Sequence, residues 1–169
     1  APRYSVWAEG VGAYSIVKGT ATSPRVSALS GGVFAGAELM EVSGIVPGVI
    51  GVSAGYSKTS FATSTAGFDA SSDNFLGGVY GSAGAAATGE TGFSLTGSAS
   101  VTFHTYKTNR QIQLGATTLQ ALGNFKGRTF DGQVRVGYAT NLNFADGGIT
   151  FGPIAGFDMS RGRNDAFTE

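Results

Sequence analysis

Hydrophobic and polar residues alternate with a period of two along much of the chain, which is the pattern of β-strands with two unlike faces. The alternation is clearest over residues 93–106, where Phe93, Val101 and Phe103 fall on one side and Thr102 and His104 on the other. Similar patterns recur and predict seven strands with essentially no helix. The predicted strands cover residues 5–17, 30–41, 47–58, 74–83, 93–106, 130–139 and 149–160.

These strands are longer than the usual strand of about 5 to 6 residues, and a tilted strand needs about 9 to 11 residues to cross a membrane. Short connections at residues 42–46, 84–90 and 140–148 alternate with longer ones at 18–29, 59–73 and 107–129. Outer-membrane barrels alternate short periplasmic turns with long external loops. The sequence therefore predicts an all-β, antiparallel up-and-down meander, one partial β-barrel domain over residues 1–169 in the bacterial outer membrane.

Composition narrows the function classes. Only 13% of the residues are charged, against about 25% in ordinary soluble domains, and the formal net charge is zero, which argues against an electrostatic nucleic-acid binder. The chain has no Cys and one His, so neither a disulfide framework nor a thiolate or multi-histidine zinc site is expected. No cofactor and no metal are predicted.

The two predicted faces differ in chemistry. One carries small hydroxyl groups and is expected to line the barrel lumen, where buried charges need partners. The other is apolar and is expected to face lipid, with aromatic girdles near the strand ends; the simpler alternative is that aromatic residues favour strands in general. The predicted lumen-lining residues are Glu9, Glu38, His104, Asp131, Arg135 and Asp158. The predicted membrane-facing aromatics are Tyr14, Tyr56, Phe75, Phe93, Phe103 and Phe151, with Phe61 as a further candidate.

One short motif suggests chemistry. Residues 51–55 match the G-x-S-x-G nucleophile elbow around Ser53. That elbow requires a sharp turn from a strand into a helix, followed by an acid and a His. The match lies inside a strand-like run, and His104 lies in another predicted strand, so we predict that the protein is not an enzyme.

Several segments resemble the translocator (β) domain of type V autotransporters. They are residues 5–14 (SVWAEGVGAY), 39–61 with its Gly-Tyr-Ser ending, 75–81 (FLGGVYG), and 152–157 followed by 165–169. The resemblance covers nearly the whole chain. It implies a barrel that anchors and exports an N-terminal passenger through its lumen, with outer-membrane lipid and the passenger as partners.

Three alternatives remain open. Seven strands are too few for a single-chain bacterial barrel, so we expect either a fragment or a shortened homologue. The latter would be a non-enzymatic structural subunit that pairs its edges with itself or a partner, as a homo-oligomer or a larger membrane complex. A soluble ligand-binding barrel would instead turn Val101 and Val134 inward. The basic residues of segments 107–110 and 161–163 are expected to be either solvated loop charges or contacts with lipid phosphates.

Overall fold

A computed structural model describes residues 4–20, 24–42, 47–63, 67–85, 91–144 and 147–166. Within these residues the chain forms β-strands and no α-helix. The eight strands are β1 (Ser5–Val17), β2 (Val26–Val42), β3 (Gly48–Thr63), β4 (Phe68–Ala83), β5 (Gly92–Leu114), β6 (Thr117–Phe144), β7 (Gly147–Phe151) and β8 (Ile154–Asn164).

The strands form one antiparallel meander in the order β1-β2-β3-β4-β5-β6, and both β7 and β8 pair with β6. This confirms the predicted fold class. The count is eight rather than seven because Gly152 and Pro153 interrupt the last leg of the meander. Proline has no N–H to give to a ladder, but its carbonyl still accepts a hydrogen bond from the Tyr138 N–H at 3.1 Å.

The ladder register fixes which side chains share a face, because residues directly opposite each other in an antiparallel pair project to the same side. We call one side the Phe103 face, since Phe103 lies opposite Phe75 on β4 and Arg128 on β6. The other side is the His104 face, since His104 lies opposite Asn74 and Gly127. Each strand contributes alternate residues to the two faces.

The prediction that residues 59–73 and 107–129 form long loops is wrong, because most of these residues belong to strands. Only residues 64–67 separate β3 from β4, and residues 115–116 alone form the turn between β5 and β6, with Gly115 at a φ of 62°. The reason is a loss of alternation: residues 107–111 are polar on both faces of β5, and apolar side chains return on the His104 face at Ile112 and Leu114. The strand therefore continues where the period-two pattern is absent.

The sheet is a single layer in the described residues. It has no buried hydrophobic side chain there, and Ser72 is the one buried polar residue. Phe93, Phe75 and Phe103 are 69%, 59% and 55% exposed. A soluble monomer rarely exposes so large a continuous apolar surface. No helix in the described segments is long and apolar enough to span a membrane.

Candidate functional site: the two faces of the sheet

The Phe103 face carries an apolar band whose height matches a membrane. On β5 the band runs from Phe93 to Phe103 through Leu95 and Val101, without a charged residue on that face. At about 3.4 Å per residue this stretch is roughly 34 Å long, and a tilt of about 45° reduces its height to roughly 24 Å. The outward apolar band of outer-membrane barrels is about 25 Å tall.

Aromatic side chains lie at both ends of this band. Tyr56, Phe75 and Phe103 lie opposite one another on β3, β4 and β5, and the rings of the first two have centroids 4.9 Å apart. At the other end Phe93 lies opposite Tyr138, also with centroids 4.9 Å apart. At each end of the apolar band, aromatic rings on neighbouring strands therefore contact one another.

The remaining aromatic candidates divide between the faces. Tyr14 lies opposite Leu29 and Phe151 opposite Thr140, which places both on the Phe103 face. The candidate Phe61 is placed otherwise: it lies opposite Ala70, on the His104 face. It lies beyond the end of the apolar band, where an apolar side chain does not indicate the Phe103 face.

The upper edge of the band crosses the ladder rows diagonally. On β1 the last aromatic of the Phe103 face is Tyr14. The residues paired with it on successive strands form a row across the sheet, which reaches Asn124 on β6 after five strands. The last aromatic of this face on β6 is Phe130, six residues further along the strand. With standard spacings this offset corresponds to a strand tilt of about 40°, within the roughly 35–45° of outer-membrane barrels.

All six ionisable residues predicted for the lumen lie on the His104 face. The register places Glu9 and Glu38 there on β1 and β2, His104 on β5, Asp131 and Arg135 on β6, and Asp158 on β8. Of these, Arg135 and Asp158 come together, with Arg135 Nη2 3.8 Å from Asp158 Oδ1 and both side chains more than half exposed. An exposed pair at this distance contributes little stability.

His104 is held by neutral side chains. One ring nitrogen, Nδ1, lies 2.7 Å from Asn74 Oδ1, and the other, Nε2, lies 2.9 Å from Thr129 Oγ1. Its ring also stacks on Tyr106, with centroids 5.6 Å apart. Because both nitrogens are engaged by neighbours in the sheet, the arrangement positions the imidazole as part of the wall of this face.

Large aromatic side chains also lie flat over glycines on the His104 face, a feature the sequence reasoning missed. Trp7 Nε1 donates a hydrogen bond to Tyr80 Oη at 2.8 Å across the two intervening strands. A Cβ on Gly36 would meet the Trp7 ring at 2.5 Å, and one on Gly51 would meet the Tyr80 ring. The glycines that recur within the predicted strands are a partial signal, but the aromatic residue that lies over each of them depends on the strand register.

The G-x-S-x-G match does not form a nucleophile elbow. Strand β3 continues through Gly51, Ser53 and Gly55, so no strand-to-helix turn exposes the hydroxyl. Ser53 lies opposite Gly36 and Gly78, whereas His104 lies opposite Asn74 and is bonded to it. The structure does not bring the serine and the histidine together.

Comparison with known proteins gives one match. The family described as Autotransporter beta-domain has a model that matches residues 6–169, nearly the whole chain. No match was found among curated proteins or among solved structures.

Proposed function

The chain belongs to the autotransporter beta-domain family, and on that premise we propose that its His104 face lines a lumen through which an N-terminal passenger is exported. The family identifies the chain as a translocator-type β-barrel domain of the Gram-negative outer membrane and of type V secretion. Membership in this family does not fit the alternative that the protein is a soluble ligand-binding barrel. It is a family of translocators, so transport rather than catalysis is the expected activity.

The observation that carries the proposal is the separation of chemistry between the two faces. Over the height of the band on β5 and β6 the His104 face presents hydroxyl, amide and ionisable groups, while the Phe103 face presents aliphatic and aromatic side chains. On β1, β2 and β4 the His104 face also carries Trp7, Phe34 and Tyr80, which lie over glycines. An extended passenger needs a path that satisfies its backbone polar groups, because unpaired groups are costly in lipid. The His104 face supplies such groups, and Val101 and Val134 on the other face contact lipid.

The passenger path can be tested by cross-linking, because the chain has no natural Cys. We expect Thr102→Cys, on the His104 face, to cross-link to a cysteine placed in a passenger stalled during export. Its neighbour Val101→Cys is the matched control and should not cross-link. Equal cross-linking of the two variants, or a folded barrel whose tagged passenger never reaches the cell surface, would contradict the proposal.

A second candidate role follows from the edges of the sheet. Within the described residues β1 pairs only with β2, and β8 only with β6, so each has one unpaired edge. Open edges are not tolerated in lipid, so we propose that further strands cover them. They come either from a longer chain, as in a translocator, or from other copies or a partner, as in a structural subunit.

The mass of the native protein distinguishes these two origins. We expect intact mass spectrometry of the protein purified from outer membranes to show a chain with more strands than those described here, and chromatography in detergent to show a monomer. A stable complex of chains no longer than this one would contradict export by a single-chain barrel and support the structural subunit.

A further inference from the structure

Four cations are grouped on the Phe103 face directly beyond the apolar band. Lys126 and Arg128 project from β6, and Arg161 and Arg163 from the neighbouring β8. All four side chains are exposed. The register places Arg161 opposite Phe130, the last aromatic on that side of β6, and Arg163 opposite Arg128. We call these four residues the basic cluster.

The pairing of Arg128 with Arg163 is unfavourable without an anion. Like charges directly opposite each other in an antiparallel pair destabilise the sheet. Within the described residues, no ion pair joins a member of the basic cluster to an acid. Asp165, which follows β8, donates its backbone N–H to the Lys126 carbonyl, and Asp73 on β4 lies on this face with its Oδ1 already accepting a hydrogen bond from Tyr56.

The depth of the cluster matches lipid head groups. Arg161 lies in the row of the last aromatic of the band, and Arg128 and Arg163 lie two residues further out. At the strand tilt found above, two residues raise a side chain by about 5 Å, which places the cluster where phosphates lie. Arg128 is also held at this edge, with its guanidinium carbon 5.9 Å from the centre of the Phe130 ring.

We propose that the basic cluster binds the phosphates of a lipid head group in the outer leaflet, with lipid A chemistry. Guanidinium groups bind phosphate through two parallel hydrogen bonds, and an anion between Arg128 and Arg163 removes their repulsion. The leaflet follows from the long β5–β6 hairpin, which extends beyond the band at this end, as external segments do in outer-membrane barrels. This site faces lipid and is independent of the proposed export path.

The test is a lipid titration of the complete protein, folded in detergent and followed by native mass spectrometry. The probes are lipid A with two phosphates, the same lipid with both phosphates removed, and inorganic phosphate. The variant is Arg161→Gln/Arg163→Gln. The control, Lys18→Gln/Arg110→Gln, removes the same charge from the β1–β2 connection and from the His104 face of β5, which is turned away from the basic cluster. Heat-modifiable migration shows that each variant has folded.

We expect bisphosphorylated lipid A to bind the wild type and the control alike, and the variant roughly tenfold more weakly or worse, since each cation near an anionic lipid contributes about fivefold. If the double variant fails to fold, the single Arg161→Gln and Arg163→Gln variants should each weaken binding by about threefold to fivefold. Equal affinity of variant and wild type overturns the proposal, as does equal binding of the dephosphorylated lipid. If millimolar inorganic phosphate displaces lipid A, the ligand of the basic cluster is a free anion and the proposed lipid site is wrong.

Discussion

At the scale of single residues, glycines on the His104 face make room for aromatic rings on adjacent strands. A Cβ on Gly55 would fall within the Phe34 ring, and one on Gly36 would meet Trp7. Glycine weakens a strand by its flexibility and lack of contacts. At these positions that cost is offset by close packing of a large ring on the sheet, which also holds the Trp7–Tyr80 hydrogen bond.

This packing predicts opposite effects of the same substitution on the two faces. Gly55→Ala should destabilise the folded domain by about 1–3 kcal/mol, because the methyl group displaces the Phe34 ring. Gly77→Ala is the matched control: it lies on the Phe103 face with nothing within 4 Å of its Cβ, so it should be neutral or slightly stabilising. The measurement is the temperature at which heat-modifiable migration is lost in detergent. Equal losses for both variants would contradict the packing account.

At the scale of strands, the proposed contact of the Phe103 face with lipid gives each residue of β5 a depth in the membrane, measured from the middle of the apolar band. Ala99 is near the middle of the Phe93–Phe103 segment, and Thr105 lies just beyond it on the same face. A cation that faces lipid costs about 2–4 kcal/mol at the bilayer midplane and about 0–1 kcal/mol near the interface. The stability of the strand should therefore depend on depth.

We predict that Ala99→Lys destabilises the domain by about 2–4 kcal/mol in lipid bilayers, whereas Thr105→Lys costs less than about 1 kcal/mol. Ser98→Lys, one residue away on the His104 face, controls for the presence of a cation at the same depth. Urea unfolding in vesicles gives the three free energies. An Ala99→Lys variant as stable as Thr105→Lys would show that this face is not in contact with lipid.

The strands also show what the sequence could and could not predict. The meander, and the common face of the six ionisable candidates and of every aromatic candidate except Phe61, followed from period-two alternation, which depends only on backbone geometry. The ends of the strands could not be predicted, because hydrophobic and polar residues alternate only where the two faces of a strand have different surroundings. Residues 107–111 are polar on both faces of β5, so the sequence pattern predicts a loop where the strand continues. Contacts such as Trp7–Tyr80 depend on register, which the sequence pattern left open.

At the scale of the whole molecule, the low charge of the chain, 13% of its residues, is explained by what covers the two faces of the sheet. A single-layer sheet with no buried hydrophobic side chain in its described residues must be covered by something other than its own chain. In the proposed assignment of the faces, lipid covers the Phe103 face, which therefore needs little charge, and small polar groups line the opposite face. Four of the eleven Lys and Arg residues form the basic cluster where the band ends.

The central claim is the assignment of the two faces, and cysteine labelling at neighbouring positions of β5 tests it most directly. Ser98→Cys lies on the His104 face and Ala99→Cys on the Phe103 face, at nearly the same depth, in a chain without natural Cys. A small, charged, membrane-impermeant thiol reagent is applied to the folded protein in bilayers, with full labelling after denaturation as the reference. We predict rapid modification of Ser98→Cys and protection of Ala99→Cys. Protection of Ser98→Cys together with rapid modification of Ala99→Cys would contradict the account.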